Sequence, residues 1–187
     1  MNYVQRRRFL WAVFLAGLLL AALAANATTL VRLSLPQMVR QSTAIVRAHC
    51  EGSHVRLDRG EIWTDTTFQV LETHKGLLPA QIVARQPGGV LNHLHSRVDE
   101  SPVFRPGEDV ILFLWGGGKR PFSVLGWSQG TFRIRHSVIT GGETVSQDSA
   151  ATPVFDSATG GFTRAGLRNI PIGVFEDALR REISRHP

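Results

Sequence analysis

Glu61-Ile62-Trp63-Thr64-Asp65-Thr66-Thr67-Phe68-Gln69-Val70-Leu71-Glu72-Thr73 alternates two sets of side chains without a break. Ile62, Thr64, Thr66, Phe68 and Val70 fall on one side. Trp63, Asp65, Thr67, Gln69 and Leu71 fall on the other, the period-two signature of a strand. Thirteen extended residues span roughly 43 Å. Few flat sheets use so long a strand, so it is expected to bend and serve two sheet edges, as strands of small barrels do. His74-Lys75-Gly76 ends it.

Working outward, Ala44, Val46, Ala48 and Cys50 recur at period two within 44–51, a second strand. Before it, Ser34-Leu35-Pro36-Gln37 has the form of a capping box and predicts a helix over 35–42. After the long strand, Gln81–Gln86 is extended and stops at Pro87-Gly88-Gly89. Residues 90–102 have no period and are expected to form a surface loop. Arg105-Pro106-Gly107-Glu108 predicts a type II turn. Val110–Trp115 is continuously apolar, as in a strand covered on both faces. Phe122–Trp127 and Thr131–Val138 are expected to pair around Ser128-Gln129-Gly130, with Phe132 and Ile134 inward and Arg133 and Arg135 outward. Residues 146–170, rich in Ser, Ala, Thr and Gly, predict a flexible connection. Ile172, Phe175, Leu179 and Ile183 then recur at helical spacing, with acids early and arginines late. That stripe needs a sheet to lie on. The expected fold is mostly β: a small antiparallel barrel with a short N-terminal helix and a C-terminal helix packed on it.

The chain has 187 residues, 43% of them apolar and 19% charged, which excludes a disordered polyelectrolyte and permits one ordinary core. A single cysteine, Cys50, excludes an internal disulfide and any CxxC metal site. Arg6-Arg7-Arg8, the apolar run Phe9–Ala25 and Ala25-Asn26-Ala27 have the three-part layout of a secretory signal peptide. Arg6-Arg7-Arg8-Phe9-Leu10 also fits the twin-arginine pattern, so export by the general or the twin-arginine route leads to the periplasm or the exterior. Kept uncleaved, the seventeen apolar residues reach about 26 Å and would serve as the one membrane anchor. The expected organisation is a signal peptide at 1–27, a β-barrel domain at 28–145, the connection at 146–170 and a helical end at 171–187. Removing 1–27 takes away three arginines and lowers the net charge from +6 to 18 − 15 = +3. That modest charge argues against a nucleic-acid partner.

Several stretches resemble a family of uncharacterised exported bacterial β-rich proteins. They are Ile62–Phe68, Val70-Leu71-Glu72-Thr73-His74-Lys75-Gly76, Arg85-Gln86-Pro87-Gly88-Gly89, Phe104–Glu108 with Leu112-Phe113-Leu114, and Gly126–Phe132. A more distant similarity, in the early helix, the strand ending in Lys-Gly and the Phe-x-x-Gly-Glu turn, is to the netrin-like module, the OB-type barrel of tissue inhibitors of metalloproteinases. The likeness implies an OB- or netrin-like barrel and, among partners, a protease. Those inhibitors place an N-terminal cysteine on the protease zinc. Here the processed chain would start at Thr28 with Cys50 alone, so the inhibitory residues do not carry over.

For chemistry, His93-Leu94-His95 puts two imidazoles two residues apart, on one face if the segment is a strand, with Asp99 or Glu100 as a further metal ligand. His49, His54, His74 and His136 are assigned to the surface or to strand edges. Cys50 lacks a base on its own face and is expected to be buried. Gly126-Trp127-Ser128-Gln129-Gly130 has the Gly-x-Ser-x-Gly spacing but falls in the link between two expected strands rather than in the strand-to-helix turn of a nucleophile elbow, and Gly116-Gly117-Gly118-Lys119 lacks the Ser/Thr of a phosphate loop. Arg133, Arg135, His136, Trp127 and Phe132 could form the basic, aromatic surface on which OB-type barrels bind single-stranded nucleic acid. With no catalytic constellation and no cofactor motif, the leading expectation is a non-catalytic binding module of the bacterial envelope. It would hold an envelope or extracellular protein through 90–102 and 116–121. The alternatives are a metal-dependent enzyme centred on His93 and His95, and the nucleic-acid binder.

Overall fold

The computed structural model describes residues 30–137, 141–164 and 166–186, so the expected leader at 1–27 lies outside the described residues. The long alternating stretch is strand β2 (Glu61–Lys75), and its partner β1 (Ala44–Asp58) runs well past Glu51 to match it. The two meet in a tight hairpin, with Arg59 at φ 52° and Gly60 at φ 86°, the left-handed pair that a twisted two-residue turn requires. Three register shifts, between Ile45 and Val46, Arg47 and Ala48, and Cys50 and Gly52, interrupt their ladder. Each leaves one residue unpaired and sharpens the twist, so the long ribbon bends as its length demanded.

β3 (Gln81–Pro87) pairs with β2, and β6 (Asp109–Gly116) pairs with β1. β7 (Phe122–Val124) lies between β6 and β3, so the order β1-β2-β3-β7-β6 returns to β1 as a ring. The ring closes only in part: β3 and β7 share one residue pair, Ala84 with Phe122, and it is parallel. The sheet is therefore mixed rather than wholly antiparallel. The expected hairpin between 122–127 and 131–138 does not form. Trp127–Gly130 is a 3-10 turn, and β7 and β8 (Thr131–His136) both pair with β6, at Leu114↔Val124 and Val110↔Arg133. The left-handed Gly126 and Trp127 redirect the chain without folding it back on itself.

β9 (Glu143–Gln147) extends the sheet beyond β8. Within 146–170, expected as a flexible connection, lie a 3-10 turn at Asp148–Ala151, the hairpin β10 (Val154–Asp156) with β11 (Gly161–Thr163), and the start of β12 (Ile170–Pro171), which pairs with β9. β10 also bridges Val31 through Phe155, and Arg32 Nη1 donates to Asp156 Oδ2 at 2.7 Å.

Of Val110–Trp115, expected to be covered on both faces, Val110–Leu114 is buried and Trp115 is 53% exposed. Val110, Leu112 and Leu114 join Val46, Ala48, Phe68 and Ile82 inside the ring. Ile111 and Phe113 join Ile45, Phe132 and Val145 on the outer face, which two helices cover. Helix α1 (Leu35–Gln41) contributes Met38 and Val39; at its start the Ser34 N–H donates to Gln37 Oε1 at 2.8 Å. Helix α2 (Ile172–Arg185) contributes Phe175 and Leu179, 2% and 0% exposed. The Phe175 ring lies 4.8 Å from that of Phe132. The C-terminal helix is thus docked through its apolar stripe. Among the described residues, no helix is long and apolar enough to cross a membrane.

Candidate functional site

Pro87-Gly88-Gly89 turns the chain out of β3 and back across the end of the ring. Gly88 (φ 94°) and Gly89 (φ 140°) take conformations that L side chains avoid. A Cβ on Gly89 would stand 2.7 Å from Thr64 Oγ1, so only glycine lets the chain lie this close. The result is a small hairpin, β4 (Gly89–Leu91) with β5 (Leu94–Ser96), inside the stretch expected as a plain loop. The Thr64 hydroxyl donates to Gly88 O at 2.7 Å and the Ser101 hydroxyl to Pro87 O at 2.9 Å, fixing both sides of the turn.

Beneath the hairpin is a cavity of about 480 Å³, walled by Val55, Pro87, Val90, Val98, Val103 and Phe104 among others. Its few polar groups are mostly tied down. Gln86 is 2% exposed, with its amide nitrogen towards Thr64 O at 3.2 Å and Thr66 Oγ1 at 3.3 Å. Phe104 stands edge-on to Phe68 with centroids 5.0 Å apart and joins the cavity to the inner core. Arg133 fastens this wall: its Nη2 donates to Val103 O at 2.8 Å and its Cζ lies 5.6 Å from the Phe104 centroid. The same guanidinium pairs with Asp148 at 2.7 Å and with Glu108. Burial opposes its charge, but the hydrogen bonds it donates to Asp148 and the charges of the two carboxylates outweigh burial and hold the proton more firmly than usual.

A second, more open concavity of about 580 Å³ lies on the other side of the hairpin, lined by Leu57, Ile62, Trp63, Leu94 and Trp127. Pro87, Gly88, His95, Ser96 and Val98 line both, so one thin wall divides them. Trp127 has φ 52°, unusual for a bulky residue and costing about 1–3 kcal/mol. It is held there by the Thr131 hydroxyl, which donates to Trp127 O at 3.1 Å, and by the next residue, whose N–H donates to Glu100 O at 3.1 Å. Strain maintained in this way concentrates at functional sites. Leu57, Val90, Leu94 and Val103 stay between 52% and 77% exposed around the two openings.

His95 stands on β5 in the dividing wall, while His93 is in the hairpin turn; both are exposed. Asp99 faces Arg97 at 3.6 Å, and Glu100 accepts from the Ser128 hydroxyl at 2.6 Å, so neither carboxylate is turned to the imidazoles. Residues 116–121, expected to share the ligand, join β6 to β7 and line neither concavity. The basic, aromatic strand surface is not assembled: Phe132 is fully buried under α2 and Arg133 is engaged by two carboxylates. Arg47 pairs with Glu143 and Arg85 with Asp65. Cys50 is buried, and burial first, then Glu108, push its thiol up from the ordinary 9.0. His74, assigned to the surface or a strand edge, stands at the end of β2 with its side chain 4% exposed. The second concavity was not foreseen, because Leu57, Trp63 and Trp127 come from three separate segments. The signal for it was the two tryptophans themselves, one inside β2 and one just before β8. No family model, curated protein or solved structure matches the chain.

Proposed function

We propose that the protein is an exported, non-catalytic binding module whose ligand is an apolar segment of an envelope or extracellular protein. The observation that carries this reading is the pair of apolar concavities sharing one hairpin wall, with exposed Leu57, Val90, Leu94 and Val103 at their openings. Concave, mostly apolar sites with a few fixed polar groups are where ligands bind, and apolar residues clustered at a rim mark interaction surfaces. The ring supplies a rigid frame, and residues 89–104 supply the contact surface. Photoreactive amino acids at Val90 and Val103 test it, with one at fully exposed Leu77, beyond the far end of β2, as control. Irradiation in the native envelope should yield one defined adduct from Val90 and Val103 and none from Leu77. Adducts equal at all three positions, or none at Val90 and Val103, overturn the reading.

A further inference from the structure

The far end of β2 brings together three groups of a different character. Glu72 and His74 on β2 and Glu176 on α2 each place one ligand atom within 4.8 Å of the others. Strand register explains how. Arg47 pairs with Glu72, Val46 with Thr73 and Ile45 with Lys75, which leaves His74 as the extra residue of a bulge. The bulge turns the end of β2 towards the helices, where Lys75 Nζ donates to Val39 O of α1 at 2.8 Å. Glu176 comes from the opposite side, one residue after the buried Phe175 that fixes α2.

Hydrogen bonding within the protein does not satisfy this cluster. His74 Nε2 and Glu176 Oε1 are buried with no partner among the described residues. His74 Nδ1 lies 3.5 Å from Glu72 Oε1. The nearby arginines are engaged elsewhere, Arg47 by Glu143 and Arg180 by Asp177.

We propose that Glu72, His74 and Glu176 bind a divalent first-row transition cation of the zinc type, which clamps the C-terminal helix to the bent end of β2. One imidazole and two carboxylates suit that class of ion and leave one position of a tetrahedron for water. Ligands about 2.1 Å from a tetrahedral ion stand ~3.4 Å apart, so the three groups close by side-chain rotation alone, chiefly of the exposed Glu72.

Zinc titration of the chelator-treated full chain tests the proposal, by equilibrium dialysis and by melting. One Zn²⁺ per chain should bind and raise the melting midpoint. Glu72→Gln, at a residue whose loss does not threaten folding, should weaken binding by about tenfold or more and remove that rise. Glu176→Gln should do the same, and Asp177→Asn, whose carboxylate pairs with Arg180, should change neither readout. Absence of stoichiometric binding overturns the proposal. So does zinc affinity unaltered in Glu72→Gln and Glu176→Gln, or lost only in His93→Ala/His95→Ala, which would place the ion in the hairpin.

Discussion

A Cβ on Gly89 would meet Thr64 Oγ1 at 2.7 Å and Val55 Cγ1 at 2.9 Å, at a φ of 140°. Gly89→Ala should therefore cost about 1–3 kcal/mol in a urea melt, from strain and from the hairpin being pushed off the ring. Gly52→Ala, with no atom within 4 Å of the added methyl and no positive φ, should stay within about 0.5 kcal/mol or gain slightly. Equal effects would refute the steric account. Cys50 carries a chemical expectation. With the thiol buried and pushed above 9.0, almost no thiolate exists near neutrality, and alkylating reagents should label the unfolded chain in minutes but the native chain hardly at all. The melting midpoint should be the same with and without reductant, since the lone thiol closes no loop. Arg133→Ala should cost about 1–3 kcal/mol, because it leaves Asp148 and Glu108 facing each other and frees Val103 O. At this scale burial of Cys50 was legible from its alternation with Ala44, Val46 and Ala48. The role of Arg133 was not, because its alternation with Phe132 and Ile134 says which way it points and nothing about the acids it meets.

Among the elements, α2 was the plainest in the sequence, since Ile172, Phe175, Leu179 and Ile183 at helical spacing have one reading. Its docking makes a quantitative expectation. Phe175→Ala should cost about 3–5 kcal/mol and Leu179→Ala about 2–5 kcal/mol by denaturant melting, while exposed Arg181→Ala should stay within about 0.5 kcal/mol. Losses below about 0.5 kcal/mol in both apolar variants would mean that the helix does not depend on the sheet. The short elements were not legible. β4, β5, β10 and β11 have three residues each, too few for a period to show, and sit among Gly, Ser and Thr that suit any loop. β7 and β8 were recognised as strands but assigned to each other, because alternation reveals an edge and never names its neighbour.

At the scale of the whole molecule, bending of the long strand was predictable from length alone, and a bent ribbon implies a ring. How the ring closes was beyond any local pattern, since the single parallel pair Ala84↔Phe122 joins strands far apart in sequence. That thin closure has a dynamic consequence. Amides of β7 and of the β3 edge that faces it should exchange with deuterium faster than those of β1 and β6, where the β1–β2 and β1–β6 ladders and two cores protect them. Uniform protection around the ring would show that the single pair does not limit local opening. The hairpin of residues 89–96 has a consequence of another kind. Because one partition bounds two chambers, an occupant that presses it outward from one chamber shrinks the other. Two ligands would then compete without touching. By linkage each occupant would weaken the other by the same factor.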